Sequence, residues 1–128
     1  MMNKDTMSQL LERLGAAISS GDLKSVSAWW TFPEMFLSDE NATVLADASQ
    51  LGTFMGQAAE AYRQQGIAST KPELERVNLL SETLPSVDVR WPSLDASSKE
   101  KASEQSHYIL HRAEDGQVRI RVALTRTK

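Results

Sequence analysis

The chain has 128 residues, a formal net charge of −3 and no cysteine. This length fits a single domain over residues 1–128, and the lack of cysteine excludes disulfide frameworks, thiol catalysis and cysteine-ligated zinc. Basic residues do not cluster and no apolar run approaches the ~20 residues of a membrane span, so we expect neither a nucleic-acid nor a membrane partner. The N-terminal stretch carries acidic residues and is unlike a signal peptide, so the expected location is the cytoplasm.

Two helices are predicted before the first proline. The first begins at a capping box formed by Thr6 and Gln9 and carries apolar residues at helical spacing. A second, short helix begins at Asp22 and must end near Trp30, because Pro33 disfavours a helical conformation at the residue before it.

A third helix is predicted to begin at Asp47, with Gln50 at its third position, and to end before Gly66. Its apolar stripe predicts one buried face, formed by Leu51, Phe54, Met55, Ala58, Ala59 and Tyr62.

The remaining segments have the alternating pattern of strands. Residues 31–47 predict two short strands around a polar turn at Ser38–Asn41. Four longer strands are predicted at about 75–84, 86–92, 104–113 and 117–126. Three helices followed mainly by antiparallel strands predict an α+β fold, in which the helices pack on one face of a sheet.

The turn of the last hairpin decides which residues face the core. A two-residue loop at Asp115 and Gly116 would place His107 and His111 on the core face. A three-residue loop from Glu114, with Gly116 in a left-handed conformation, separates apolar from polar residues much better, and we therefore predict it. Its register pairs Arg112 with Val118, His111 with Arg119, Leu110 with Ile120 and Tyr108 with Val122.

The same alternation predicts the two faces of the sheet. Val87, Val89 and Trp91 share the inner face, whereas Asp88 and Arg90 lie on the outer one. We expect the outer face to pair two copies of the chain, through Arg90, His107, Ile109, His111, Arg119 and Arg121.

Three segments together resemble the nuclear-transport-factor-2-like superfamily, also called cystatin-like. They are "AAISSGDLKSVSAWWTFPEMFL", "DASQLGTFMGQAAEAYRQQGI" and "VDVRWPSLD…SHYILHRAEDGQVRIRVALTR", and they cover nearly the whole chain. The chain is similar to small bacterial, polyketide-cyclase-like domains of uncharacterised function, which favour glycine where this chain has Ser98. The resemblance implies that the three N-terminal helices pack on a strongly curved, mainly antiparallel sheet, which forms a cone with an internal pocket.

The pocket implied by the resemblance is expected to be apolar, with two tyrosine hydroxyls as its polar groups. Neighbouring helical residues point about 100° apart, so at most one of Trp29 and Trp30 faces fully inward. The predicted inward side chains include no acid and no histidine. The residues predicted to line the ligand pocket are Trp29, Trp30, Phe36, Phe54, Tyr62, Trp91 and Tyr108.

A metal site is not expected. His107 and His111 are four residues apart, which on a strand separates them by roughly 13 Å and prevents them from sharing an ion. Glycine-rich phosphate loops and dinucleotide fingerprints are also absent from the sequence, so we expect no cofactor.

Two functions are compatible with the sequence. We favour a non-catalytic domain that binds an unknown apolar small molecule, since Glu34, Asp39 and Asp88, the nearest carboxylates, are predicted to be solvated. The alternative is a small isomerase, dehydratase or hydrolase that uses Asp39, Asp88 or His107 as its base. An ionisable side chain buried beside Tyr62 or Tyr108 would make this preference for the first function wrong.

Overall fold

The computed structural model describes residues 4–20, 29–38 and 40–127. These residues form two helices and seven strands. In chain order they are α1 (Lys4–Ser20), β1 (Trp30–Leu37), β2 (Ala42–Leu45), α2 (Ala48–Gln64), β3 (Ser69–Thr70), β4 (Glu73–Leu79), β5 (Pro85–Leu94), β6 (Glu100–Arg112) and β7 (Val118–Thr127).

The strands form one curved sheet in the order β2-β1-β7-β6-β5-β3, with β4 also paired to β5. The β1–β7 pair is parallel, and the other strand pairs of the described residues are antiparallel. The predicted α+β class and the mainly antiparallel sheet are therefore confirmed.

The prediction of three helices is not confirmed. The short helix predicted from Asp22 lies outside the described residues, except at its end. There the prediction is wrong, because Trp30 is the first residue of β1 and not the last of a helix. Pro33 lies inside that strand, where the pairing with β7 is irregular between Trp30 and Met35. A proline has no N–H to donate to a neighbouring strand, which fits this interruption.

The start of α2 agrees with the sequence prediction. Asp47 is the N-cap, and its Oδ1 accepts a hydrogen bond from Gln50 N at 2.9 Å. In return, Gln50 Oε1 accepts from Ala46 N at 2.8 Å. Two of the backbone donors at the start of the helix are thereby satisfied, as in a capping box.

The core lies between α1, α2 and the concave face of the sheet. Val87, Val89 and Trp91 are buried, as predicted, and Asp88 and Arg90 are half-buried on the opposite face. Helix α1 contributes four buried side chains to the same core, namely Met7, Leu10, Leu11 and Leu14.

The last hairpin has the predicted three-residue loop. Arg112 pairs with Val118, and Gly116 has a φ of +83°. Beyond Ile120, however, a β-bulge at Arg121 shifts the register by one residue.

The predicted pairing of Tyr108 with Val122 is therefore wrong. Tyr108 pairs with Ala123, and Val122 pairs with Ile109 on the outer face. Ala123 is fully buried, whereas Val122 and Leu124 are half-buried. The sequence of β7 alternates regularly through this point, so it contains no signal for the bulge.

Candidate functional site: a cavity between helix α2 and the sheet

A cavity of about 880 Å³ lies between α2 and the concave face of the sheet. Helix α1 and most strands contribute to its wall, and aromatic side chains form much of the surface. Six of the seven residues that the sequence predicted for the pocket line it, namely Trp30, Phe36, Phe54, Tyr62, Trp91 and Tyr108. Their role in binding stays a prediction.

Trp30 and Trp29 have different environments. Trp30 is only 4 % exposed, and its ring centroid lies 5.0 Å from that of Phe36, which stacks on Phe54 at 4.4 Å. Trp29 is half-buried against the core and does not line the cavity. Its carbonyl instead accepts a hydrogen bond from Ile120 N at 2.7 Å, which attaches the start of β1 to β7.

The cavity wall contains an acid that the sequence analysis missed. The Tyr62 hydroxyl, from α2, donates a hydrogen bond to Glu104 Oε1, from β6, at 2.7 Å. The expectation of an inward set without any acid is therefore wrong. The signal was present, because Glu104 is four residues before Tyr108 and so shares its face of the strand. It was overlooked because Glu104 is only the first residue of the strand predicted at 104–113, whereas β6 already begins at Glu100.

Both cavity tyrosines titrate far above neutral pH. Burial, followed by the nearby charge of Glu104 and the hydrogen bond to it, raises the pKa of Tyr62 well above its ordinary value. Burial is also the main cause that raises the pKa of Tyr108 to about 12. Both hydroxyls therefore keep their protons at neutral pH.

A second acid, Glu34, is buried in the core near the cavity. It is 2 % exposed, and within the described residues neither of its carboxylate oxygens has a hydrogen-bond partner. Burial raises its pKa to about 8, so that the uncharged acid predominates at neutral pH. Glu34 pairs with Leu45 and lies two residues from Phe36, but it does not line the cavity. Our interpretation of Glu34 as a solvated charge is wrong.

The other predicted acid–base candidates lie elsewhere. Asp88 Oδ1 is 2.6 Å from His107 Nδ1 on the outer face, and both side chains are about one third exposed, at 35 % and 34 %. They border a separate cavity of about 320 Å³. Asp39 lies outside the described residues.

The residues predicted for a dimer contact lie on β5, β6 and β7, three neighbouring strands inside the sheet, and all are half-buried. Arg90 forms ion pairs with Glu73, at 3.0 Å, and with Glu100. Arg119 lies 3.8 Å from Asp115, and Arg121 is the bulge residue.

No cluster of three potential metal ligands occurs among the residues described. Neither α1 nor α2 is long and apolar enough to span a bilayer.

Solved structures of similar fold come from several bacteria. A domain of unknown function with a cystatin-like fold from Nostoc punctiforme is 16 % identical, with a TM-score of 0.77 over 98 % of this chain and 76 % of its own. An NTF-2 like protein of unknown function from Shewanella oneidensis is 16 % identical, with a TM-score of 0.73 over 97 % and 98 %. A ketosteroid isomerase-like protein from Erwinia carotovora atroseptica is 14 % identical, with a TM-score of 0.70 over 97 % and 96 %. At these identities the likeness shows the fold alone.

A search of curated protein sequences finds no significant match. A family model described as "NTF2-like protein (DUF6841)" matches residues 4–128, which is nearly the whole chain. The predicted resemblance is thus confirmed, and the chain belongs to the NTF2-like protein family DUF6841.

Proposed function

We propose that this protein binds an apolar small molecule in the cavity under α2. The observation that carries the proposal is the cavity itself, whose wall contains six aromatic side chains, together with a hydrogen-bonded polar pair formed by Tyr62 and Glu104. Binding sites for small molecules are typically concave and apolar, with a few polar groups that fix the orientation of the ligand. A cavity of about 880 Å³ is within the usual size range of such sites.

The pair also supplies the polar contact that the ligand requires. Glu104 Oε1 already accepts a hydrogen bond from Tyr62, and its second oxygen has no partner in the described part of the chain. That oxygen is free to accept a hydrogen bond from a ligand, while the aromatic rings contact its hydrocarbon part. Desolvation of apolar surface supports affinity, and the polar contact fixes the orientation.

The proposal is tested by filling the cavity. Ala59 lines the cavity, whereas Ala61 is an exposed residue of the same helix. We expect Ala59→Leu to abolish binding of a neutral apolar dye, N-phenylnaphthylamine, and Ala61→Leu to leave it unchanged. Equal dye binding by both variants would show that the dye binds elsewhere and would contradict the proposal. Native mass spectrometry of freshly purified protein would then give the mass of any natural ligand.

A second candidate function is acid–base catalysis on the bound molecule. It is favoured by Glu104, a partly buried carboxylate beside Tyr62 in the cavity, which is the kind of residue that the sequence analysis expected to count against binding alone. Glu104 takes the place of the Asp39, Asp88 or His107 suggested by the sequence. The isomerase-like neighbour adds little, because a shared fold does not determine the reaction. The catalytic function predicts that Glu104→Gln binds a substrate normally but no longer converts it, as followed by product formation. If the bound compounds are recovered unchanged from the wild-type protein, binding alone is the function.

We further propose that two copies pair through the outer sheet face. The bulge adds Val122 and Leu124 to the half-buried residues of this face, next to Ile109. Burial of apolar side chains is the main favourable contribution to such association. We expect a dimer by light scattering at micromolar concentration, and a monomer for Ile109→Asp. A monomeric wild-type protein would contradict this assignment.

We also propose, as expected from the sequence, that the protein acts in the cytoplasm.

A further inference from the structure

We infer that the ligand of the cavity is an organic amine, bound as a cation with its ammonium group at Glu104 and its hydrocarbon part against the aromatic rings. This inference rests on the proposed binding function and names the chemical class of its ligand.

The first support is the balance of charges in the cavity wall. Within the described residues, the charged side chains that line the cavity are Glu60, Arg63 and Glu104. Arg63 forms an ion pair with Glu60 at the exposed surface of α2, three residues away. No ion pair to Glu104 occurs among the side chains that the structure describes. Among the residues that the structure describes, the wall therefore has one carboxylate without a counter-charge.

The second support is the position of that carboxylate. Glu104 is partly buried, and its only hydrogen-bond donor among the described side chains is the neutral hydroxyl of Tyr62. A ligand that binds in the cavity displaces water from the carboxylate, which is unfavourable unless an opposite charge replaces the water. A neutral hydroxyl on a ligand would supply a hydrogen bond without the charge. A ligand carboxylate would be repelled.

The third support is the aromatic composition of the wall. Trp30 and Trp91 line the cavity, together with the stacked rings of Phe36 and Phe54. The face of an aromatic ring carries partial negative charge and attracts an organic cation, most strongly for tryptophan. An ammonium group attached to a hydrocarbon body therefore matches both the carboxylate and the rings.

The Tyr62–Glu104 hydrogen bond also has a purely structural interpretation, in which it only connects α2 to β6. The two interpretations differ in what they predict for ligands. A structural link gives no preference for a charged ligand, whereas the inferred site does. The experiment therefore compares ligands of one shape that differ only in charge.

The probes are adamantylmethylamine, adamantylmethanol and adamantanecarboxylate, titrated at neutral pH and followed by tryptophan fluorescence. Trp30 and Trp91 report binding because they line the cavity. We expect the amine to bind about ten- to a hundredfold more tightly than the alcohol, the range of a charged hydrogen bond. We expect Glu104→Gln to remove this preference while the alcohol still binds. Tyr62→Phe keeps the carboxylate and should keep the preference.

Glu60→Gln is the matched control, because it removes the other carboxylate of the cavity wall, which Arg63 already neutralises. It should leave the preference for the amine unchanged. Circular dichroism and urea midpoints of each variant establish that it is folded before it is titrated.

Equal affinity for the amine and the alcohol overturns the inference and leaves the cavity as a site for neutral molecules. Preference for the carboxylate also overturns it, as does failure of all three probes when the neutral dye still binds. If neither the dye nor any probe binds, the proposed function itself has failed. A preference that survives Glu104→Gln would show that another group binds the ammonium, and would overturn the assignment to Glu104.

Discussion

Glu34 allows a direct test of the buried core beside the cavity. We consider the substitution Glu34→Gln, which keeps the shape of the side chain and removes its ability to ionise. The native carboxyl is 2 % exposed, and neither oxygen has a hydrogen-bond partner within the described residues. An ionised carboxylate is strongly disfavoured at such a site.

The magnitude follows from the shift in pKa. Burial raises the pKa of Glu34 from its ordinary value of 4.5 to about 8. Each pKa unit corresponds to about 1.4 kcal/mol, so the full effect on the free energy of unfolding is about 5 kcal/mol. Because the folded state binds this proton more tightly than the unfolded state, the contribution is fully present below the ordinary pKa. It is lost as the pH rises towards the folded-state pKa, and it stays lost above it.

Glutamine does not titrate, so the free energy of unfolding of the variant does not fall in this way as the pH rises. Relative to the wild type, Glu34→Gln should gain about 3–5 kcal/mol in free energy of unfolding between about pH 4 and about pH 9. Urea unfolding, followed by tryptophan fluorescence at several pH values, measures the difference. Glu82→Gln, at an exposed position, is the control and should show no such trend. A difference between Glu34→Gln and the wild type that is constant with pH would refute the assignment of Glu34 as a buried acid without a hydrogen-bond partner among the described residues.

Three smaller effects on stability are measurable as shifts in urea midpoint. Asp47→Ala removes the side-chain acceptor at the start of α2 and should cost about 1 kcal/mol, and an unchanged midpoint would contradict the cap. Ser98 has a φ of +63°, so Ser98→Gly should stabilise the protein by about 0.5–1 kcal/mol; a loss would show that the serine side chain matters more than backbone strain. Gly116→Ala, at a φ of +83° with open space around it, should cost about 1 kcal/mol, and a neutral result would show that the loop changes conformation freely.

The sequence predicts best the features that depend on neighbouring residues. The start of α2 at Asp47 and Gln50 and the loop ending at Gly116 are local patterns, and both are present in the structure. Ser98 is a related case. The resemblance implied glycine at its position, and the backbone of Ser98 is indeed left-handed. The capping box predicted at Thr6 and Gln9 is wrong, because α1 already begins at Lys4.

The sequence predicts poorly the features that depend on partners far along the chain. Strand β1 begins at Trp30 because its backbone pairs with β7, some ninety residues later in the chain. The spacing of apolar residues near Trp30, which predicted a helix, contains no information about this pairing. The strand predicted at 104–113 begins only at Glu104, because the mostly polar residues before it are recognised as strand only by their pairing with β5. This is why Glu104 was not found in the wall of the cavity.

Glu34 shows a different limit. Its position in the strand predicts the face on which it lies, yet a carboxyl is almost never fully buried without a partner. The rule that carboxyls are exposed was therefore given more weight than the position of Glu34 in the strand, which indicated its face correctly. Exceptions to such rules are frequent at functional sites, which is a reason to examine this residue experimentally.

The bulge at Arg121 has a consequence for how this family could change its ligands. Ala123 pairs with both Phe36 and Tyr108, two residues of the cavity wall, so the smallest side chain of this part of β7 lies beside the cavity. Without the extra residue, Val122 or Leu124 would face inward instead and would occupy part of that space. Deletion of a single residue in β7 would thus place a larger side chain at this position and narrow this part of the cavity. Homologues that differ in length at this point would then differ in ligand size, even where their wall residues are the same.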